Sequence, residues 1–178
     1  MTSRYSGGDV DAVGHFLAQW ERERPEIDVS PMATIGRLSR MASVVQTKLD
    51  AVFAEHDLQS WEFDVLASLR RSGEPYSLTA GELDRAMMIT SGTTTHRITR
   101  LEARGFVERA RDEEDRRVVH VRLTPRGRRV CDAAQDAHMA NEKAILELMA
   151  PEDVERLRSG LEALAEALGD APPAPPRR

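Results

Sequence analysis

The side chains best suited to chemistry lie in one short segment, residues 89–101, which combines small hydroxyls with a histidine and two arginines. Phased as a helix, the segment has Thr94, Ile98 and Leu101 on one narrow stripe that can face a core. Its remaining surface carries hydroxyl, imidazole and guanidinium groups, which can bind phosphates and base edges in the major groove of DNA. The pattern predicts a DNA-reading helix whose candidate contacts are Ser91, Thr93, Thr95, His96 and Arg100.

A β-hairpin is predicted directly after this helix. Gly105 can adopt the left-handed conformation that ends helices, residues 106–111 form one strand, and residues 119–123 alternate apolar and polar side chains in a second. The connecting tip is too polar to belong to a core. Helix, hairpin and tip in this order predict a mainly α fold with a small β-wing, a winged helix-turn-helix with a helical dimerisation region.

The tip of the hairpin has three residues with separate expected roles. Arg116 is the best candidate for reaching the minor groove. Arg117 is a second DNA-contact candidate, and Asp115 is expected to brace the wing together with Arg117. The acidic run at residues 112–115 is otherwise expected to be a solvated turn.

The net charge of the chain is opposite in sign to that of its reading segment. All 178 residues together carry a formal charge of −5. Residues 97–129 contain 11 Arg against 6 Asp and Glu, a local +5, which leaves 14 basic and 24 acidic residues elsewhere. A basic module on an acidic body is expected to meet DNA phosphate through one face only.

Several functional classes are disfavoured by the residues present. The single cysteine, Cys131, excludes an intramolecular disulfide framework and is typical of a reducing cytoplasm. The histidines are scattered without ligand spacing, so no metal and no other cofactor is expected. No nucleophile, base or metal constellation predicts an enzyme. Without a signal peptide or a membrane-length apolar run, the prediction is a cytoplasmic protein, nucleoid-associated when DNA-bound, with no membrane partner.

Composition and helix signals divide the chain into five parts. These are a disordered N-terminus (1–8), helices for the ligand site and dimerisation (9–56), the DNA-binding domain (57–123), C-terminal dimerisation helices (124–168) and a disordered tail (169–178). Helix caps are predicted at Ser60, Thr79 and Thr124. The apolar stripes of the first and last helices exceed what one winged domain needs, so we expect a two-fold homodimer that presents two reading helices to a palindrome.

Five short motifs in a fixed order resemble the MarR family of transcriptional regulators. They are Thr79-Ala80-Gly81-Glu82-Leu83, the helix at residues 90–101, Gly105-Phe106-Val107-Glu108-Arg109, Asp115-Arg116-Arg117 and Leu123-Thr124-Pro125-Arg126-Gly127. The similarity runs in register from about Pro31 to the last helix. It implies a bacterial, ligand-responsive repressor whose homodimer binds double-stranded DNA at a palindromic operator.

Within that family the chain resembles a urate-responsive subset with an added N-terminal helix and a four-residue ligand signature. The matching positions are Trp20, Asp64, Arg97 and Arg109. The residue types fit a small planar anion, because arginines stay protonated, an indole can stack on a ring, and Asp64 can oppose the ligand charge or bridge the arginines of an empty site. Urate, xanthine and tricarboxylates such as aconitate or citrate have suitable charge and size.

Each signature residue also has an ordinary structural role open to it. Trp20 is compatible with a helix core, Asp64 with a favourable charge near a helix N-terminus, and both arginines with phosphate contacts. Two other signals stay open, oxidation of Cys131 and a hydrophobic ligand, although Cys131 has no obvious activating neighbour in sequence. A winged helix that binds only proteins is disfavoured by the small polar residues of the reading face, because protein interfaces favour apolar anchors.

Overall fold

The computed structural model of the protein describes residues 11–87, 91–112 and 115–171. At positions 91–93 it describes the helical backbone but not the side chains, so the predicted contacts of Ser91 and Thr93 lie outside the described atoms. The predicted disordered N-terminus (1–8) and most of the predicted tail (169–178) also lie outside the described residues.

The described residues form seven helices and one three-stranded sheet, which confirms the predicted mainly α fold with a small β-wing. In chain order the elements are α1 (Ala12–Glu23), α2 (Met32–Glu55), α3 (Ser60–Arg71), β1 (Ser77–Thr79), α4 (Ala80–Met87), α5 (Ser91–Ala103), β2 (Val107–Arg111), β3 (Val119–Leu123), α6 (Pro125–Leu146) and α7 (Pro151–Ala167). The chain divides into two compact units, residues 1–48 and 49–178, with the boundary inside α2. Nothing among the described helices is both long and apolar enough to cross a membrane.

The first unit is held by a small apolar core and one ion pair. Its buried core residues are Val13, Leu17 and Val29. Asp11 caps α1 by accepting a hydrogen bond from the backbone N–H of Gly14 at 2.7 Å. Arg37 of α2 donates to both Asp11 carboxylate oxygens, at 2.7 and 3.1 Å, and these hydrogen bonds are the main cause that lowers the pKa of Asp11. The carboxylate therefore fixes the start of α1 to α2.

The second unit contains the main core, to which α3 contributes more buried residues than any other described helix. The fully buried residues of this core include Val65, Leu66, Leu69, Leu83, Leu101, Val107 and Val121. The strands are antiparallel in the order β1-β3-β2, and Arg109 of β2 lies opposite Val121 of β3. Alternation holds for the buried Val121 and Leu123 but fails for Val119, which is 42% exposed because it pairs with Arg111 at the far end of the hairpin, beyond the core.

Of the predicted caps at Ser60, Thr79 and Thr124, those at Thr79 and Thr124 are confirmed and that at Ser60 is wrong. Thr79 and Glu82 bond reciprocally at the start of α4, and the Thr124 hydroxyl accepts the backbone N–H of Gly127 at 3.0 Å. At α3 the capping residue is Gln59, whose backbone N–H donates to Glu62 at 3.0 Å. Ser60 is instead the first helical residue, and its hydroxyl donates to Asp50.

The joint between β3 and α6 requires glycine at position 127. A Cβ atom built on Gly127 would lie 1.9 Å from the carbonyl oxygen of Phe106. That oxygen also accepts a hydrogen bond from the Thr124 hydroxyl at 3.2 Å. The motif Leu123-Thr124-Pro125-Arg126-Gly127 thus brings the backbone of α6 directly against the start of the wing. Gly105, at φ 70°, makes the turn between α5 and β2 as predicted.

Candidate DNA-reading face and anion site

The reading helix α5 is buried along one stripe only. Thr94, Ile98 and Leu101 are buried, as the helical phasing predicts. Thr95, His96 and Arg100 are exposed on the remaining surface. The geometry therefore leaves these three side chains available to a partner, and their contact with DNA stays a prediction.

Two arginines of α5 share one aromatic ring, an arrangement that sequence reasoning missed. The guanidinium carbon of Arg100 lies 4.9 Å from the ring centroid of Trp61, and that of Arg97 lies 5.6 Å from it. Trp61 belongs to the first turn of α3, and its indole N–H donates to the side chain of Gln59. Only the tertiary arrangement of α3 and α5 brings these residues together, so no local sequence signal could have identified the ring.

The end of α5 is fixed to the start of α3 by a mostly buried ion pair. Arg104 donates to Glu62 at 2.7 Å, and Glu62 is only 2% exposed. The same guanidinium donates to the carbonyl and carboxylate oxygens of Asp57 at 2.6 Å each. The second carboxylate oxygen of Glu62 is buried without a hydrogen-bond partner, so Arg104 supplies the compensating charge for this site.

The wing tip is closed by backbone hydrogen bonds to acidic side chains. Asp115 accepts the backbone N–H of Arg117 at 3.0 Å, and Asp112 accepts that of Asp115 at 3.0 Å. Asp112 also contacts the imidazole of His120 at 3.0 Å. Asp115 is thus bonded to the backbone of Arg117, and its role as a brace for the wing stays a prediction. Both Arg116 and Arg117 are exposed. Their guanidinium groups form no hydrogen bond with any residue that the structure describes.

Asp64 lies at the edge of an open recess between α3, α4 and α6. The recess has a volume of about 360 Å³ and is lined by Phe63, Asp64, Ala67, Ser68, Arg71, Ala86, Met87, Gln135, His138 and Met139. The recess walls raise the pKa of Asp64 by desolvation, although one side of the residue remains open to solvent. Electrostatic interactions with Arg97, Arg71 and His138 lower this pKa and so act in the opposite direction. Asp64 thus lies among three cationic or titratable groups.

The other groups of the recess are held in place by hydrogen bonds and ring contacts. Arg71 donates to the Ser68 hydroxyl at 3.0 Å and to a backbone carbonyl of α4 at 2.7 Å. The His138 ring lies 5.1 Å from that of Phe53 and 5.5 Å from that of Phe63. Its Nε2 atom contacts Glu142 at 3.3 Å, whereas Nδ1 is buried without a partner. The recess therefore combines fixed polar groups with apolar side chains such as Phe63 and Met139.

The remaining signature residues have other neighbours. Arg109 forms an ion pair with Glu102 of α5 and donates to the Thr99 hydroxyl at 2.9 Å, which ties strand β2 to the reading helix. No ion pair within the described residues joins Arg109 to Asp64. Trp20 belongs to the first unit, on α1, and is 45% exposed. Of the four predicted ligand residues, the structure therefore brings Asp64 and Arg97 into electrostatic contact.

Cys131 is a buried packing residue at the start of α6. Burial raises the pKa of its thiol to about 12, with a further contribution from the charge of Asp132. A thiol with this pKa carries almost no thiolate at neutral pH, and the thiolate is the reactive form. In the described part of the chain, no group of three His, Cys, Asp or Glu side chains is arranged to hold a metal ion.

Comparison with known proteins agrees with this geometry. The model of the MarR family matches residues 58–119. The transcriptional regulator PecS of Dickeya dadantii is 40% identical over 147 residues, which is 83% of this chain and 89% of PecS. Regulators are thus what the chain resembles over most of its length.

Two solved structures have the same fold. AbsC, a MarR family transcriptional regulator from Streptomyces coelicolor, superposes with a TM-score of 0.69 at 23% identity, over 82% of this chain and 98% of AbsC. BpsR of Bordetella bronchiseptica, whose DNA binding is regulated by 6-hydroxynicotinic acid, superposes with a TM-score of 0.63 at 25% identity, over 79% of this chain and 96% of BpsR. The winged helix-turn-helix prediction and the prediction of a regulator in place of an enzyme are both confirmed. The chain belongs to the MarR family of DNA-binding transcriptional regulators.

Proposed function

We propose that the protein is a homodimeric repressor that binds a palindromic operator and is released from it by a small anionic metabolite. The observation that carries the ligand part of this proposal is the setting of Asp64, a carboxyl group at the edge of a recess of mixed polar and apolar lining and close to Arg97, Arg71 and His138. Arg97 lies on the reading helix. A ligand that displaces the Arg97 side chain would therefore act directly on the DNA-binding element.

The proposed ligand is urate, xanthine or a tricarboxylate such as aconitate or citrate. An excess of positive groups around one carboxylate suits an anion with several acceptors. The regulation of BpsR by 6-hydroxynicotinic acid, a small planar aromatic acid, supports the same chemical class. We propose Trp20, Asp64, Arg97 and Arg109 as the residues that bind it, in one site per subunit.

Arg109 gives the proposed site a way to report ligand binding. Its guanidinium is occupied by Glu102 and Thr99, which both lie on α5. An anion that takes the place of Glu102 would weaken the connection between the first wing strand and the reading helix. Ligand binding and the DNA-binding arrangement would then compete for the same guanidinium, which is the differential contact that a switch requires.

On the DNA side, α5 is proposed to enter the major groove and the wing tip to reach the minor groove. The proposed contacts are Ser91, Thr93, Thr95, His96 and Arg100 of α5 with Arg116 and Arg117 of the wing, which Asp115 braces. Backbone contacts position a protein on DNA, and base-edge contacts select the sequence.

The proposed homodimer explains the large apolar side chains that remain exposed in a single chain. They include Phe16 of α1, Met32, Ile35, Leu38 and Met41 of α2, and Leu157, Leu161 and Leu168 in or beside α7. A two-fold interface made from these helices would cover them and set two reading helices about one DNA turn apart.

The ligand proposal is tested by adding urate, xanthine, aconitate and citrate to the protein bound to the DNA upstream of its own gene. At least one of these anions is expected to release the DNA at millimolar concentration or below. Arg109→Ala should abolish the response. Glu102→Gln removes a carboxylate that competes with the anion for Arg109. It should therefore lower the anion concentration that releases half of the DNA, by up to about tenfold. Fluorescence anisotropy of labelled DNA reports the release.

Glu108→Gln is the matched control, since it removes the same charge from the strand that carries Arg109 and should leave the anion response unchanged. Asp64→Asn is expected to keep anion binding and reduce DNA release, which separates sensing from transmission. Anion binding itself is followed by Trp20 fluorescence in a Trp61→Phe background. If none of the four anions changes either signal, the proposed site is wrong.

A further inference from the structure

The two arginines of α5 form no ion pair at hydrogen-bonding distance within the described residues, and both contact the same aromatic ring. Arg97 and Arg100 are three residues apart, so they lie on the same side of the helix, about one turn apart. Their guanidinium carbons lie 5.6 and 4.9 Å from the centroid of the Trp61 ring. Arg104, one turn further on, is instead neutralised by Glu62 and Asp57.

The Trp61 ring is a fixed platform. It is half-buried and packs against the main core of the second unit. Its indole N–H donates to the side chain of Gln59, the residue that caps α3. Both the position and the rotation of the ring are therefore set by the start of α3, and a guanidinium that stacks on the ring takes its position from α3 as well as from α5.

We propose that Trp61 is a positioning residue for DNA reading that holds the Arg100 guanidinium ready to bind DNA. This inference rests on the proposed role of α5 in the major groove. A guanidinium stacks through its flat face, whereas its five N–H donors point outwards in the plane. A guanidinium that contacts the Trp61 ring through this face keeps its N–H groups free to donate to a phosphate or a guanine edge.

The gain from this arrangement is pre-organisation. A free arginine side chain samples many rotamers and must lose that freedom when it binds. Arg100 is exposed, and in the described part of the chain no carboxylate holds it. The contact with the Trp61 ring restricts the side chain before DNA arrives and leaves its donors unoccupied. An ion pair such as that of Arg109 with Glu102 would instead occupy the donors.

The first test replaces the ring while keeping an apolar side chain. Trp61→Leu should weaken binding to a labelled duplex, one selected by the wild-type protein from a random-sequence pool, by about three- to tenfold. Trp61→Phe retains an aromatic face and should recover most of the lost affinity. Anisotropy gives the affinities, and thermal unfolding of each variant verifies that the protein is folded.

A double-mutant cycle with Arg100→Ala separates positioning from a general effect on the fold. In the Arg100→Ala background, Trp61→Leu should cause no further loss of affinity, because the side chain that the ring positions is gone. An equal loss in both backgrounds would show that Trp61 acts through the fold of α3. Unchanged affinity of Trp61→Leu would also overturn the inference. If Arg100→Ala alone has no effect, the proposed reading face is wrong.

A second aromatic ring in contact with two arginines provides a matched control for the Trp61 substitution. The Tyr76 ring lies 4.9 Å from the guanidinium carbon of Arg70 and 4.9 Å from that of Arg128, and none of these residues belongs to α5. Tyr76→Leu should leave the affinity for the same duplex within about twofold of wild type. A loss as large as that of Trp61→Leu would show that the effect is not specific to the reading helix and would contradict the inference.

Discussion

Helices α3 and α7 are both amphipathic, yet their apolar faces have opposite environments in the single chain. Six of the 12 residues of α3 are buried. None of the 17 residues of α7 is buried, and Leu161 is 43% exposed. The hydrophobic period is present in both helices. A hydrophobic period therefore predicts which face of a helix will be covered, but not whether the covering residues belong to the same chain.

Helix α6 shows both environments along its length. Near its start, Gly127, Cys131 and Ala134 are buried in the main core. Towards its end, Met139 and Leu146 are 44% and 42% exposed. The change from buried to exposed along one helix marks where the DNA-binding core of a single chain ends. It also marks where the proposed second chain would begin to contribute.

The largest effect on folding is expected from a truncation on α3. Leu66→Ala removes a fully buried side chain and should lower the free energy of unfolding by about 2–5 kcal/mol. Urea unfolding measures this loss. Because Leu66 packs within its own chain, the difference in free energy of unfolding between wild type and variant should be the same at every protein concentration. A loss below about 1 kcal/mol would mean that the core of α3 is not as closely packed as its burial indicates.

A smaller effect is expected from removing the charge that Glu62 of α3 requires. Arg104→Ala leaves a buried carboxylate with one oxygen unpartnered and the other bonded only to a backbone N–H. The expected cost is about 2–3 kcal/mol, below that of a fully buried pair, because the Arg104 side chain is 28% exposed. Urea unfolding again gives the value, and DNA affinity should fall as the end of α5 loses its attachment.

The ion pair of Arg158 with Glu155 on α7 is the matched control for that substitution. Both of its side chains are more than half exposed. Arg158→Ala should therefore leave the unfolding curve unchanged, since exposed pairs contribute little. A loss as large as that of Arg104→Ala would indicate that the cover of α7 in the folded protein extends beyond its apolar stripe to this ion pair and desolvates it.

Local signals predicted much of the fold, because they involve residues close together in the chain. The stripe of Thr94, Ile98 and Leu101 follows from helical period, and the caps at Thr79 and Thr124 follow from bonds that span three residues. Ser60 was a wrong cap because Gln59 can also close the first turn of a helix through Glu62. Sequence alone cannot decide between such adjacent candidates.

The parts of the candidate site that sequence did not predict depend on contacts between distant segments. Trp61 meets Arg100 only because α3 packs against α5. Arg109 was predicted as a ligand residue. Its partner Glu102 follows only from the packing of β2 beside α5, which the sequence does not show. The type of a residue limits what it can bind, whereas the fold decides which of several suitable partners it meets.

A new charge on α7 is expected to have the smallest effect on the fold of the single chain. The same charge should have a large effect on dimer assembly. Leu161→Glu introduces a carboxylate into the exposed apolar stripe and should leave the core around α3 intact. In the proposed dimer the same carboxylate would be buried without a partner, which is strongly unfavourable. Sedimentation at micromolar concentration should show one species of twice the chain mass for the wild type and mainly single chains for the variant.

Ser159→Glu adds the same charge to the opposite side of α7, because residues 159 and 161 are about 200° apart around a helix. This control should keep twice the chain mass and wild-type affinity for a palindrome. Leu161→Glu should lose affinity for the palindrome because single chains bind only half-sites. A wild-type chain that sediments as a folded single chain, or a Leu161→Glu variant that remains paired, would show that α7 is not covered by a second copy. The difference between α3 and α7 would then need another explanation than dimerisation.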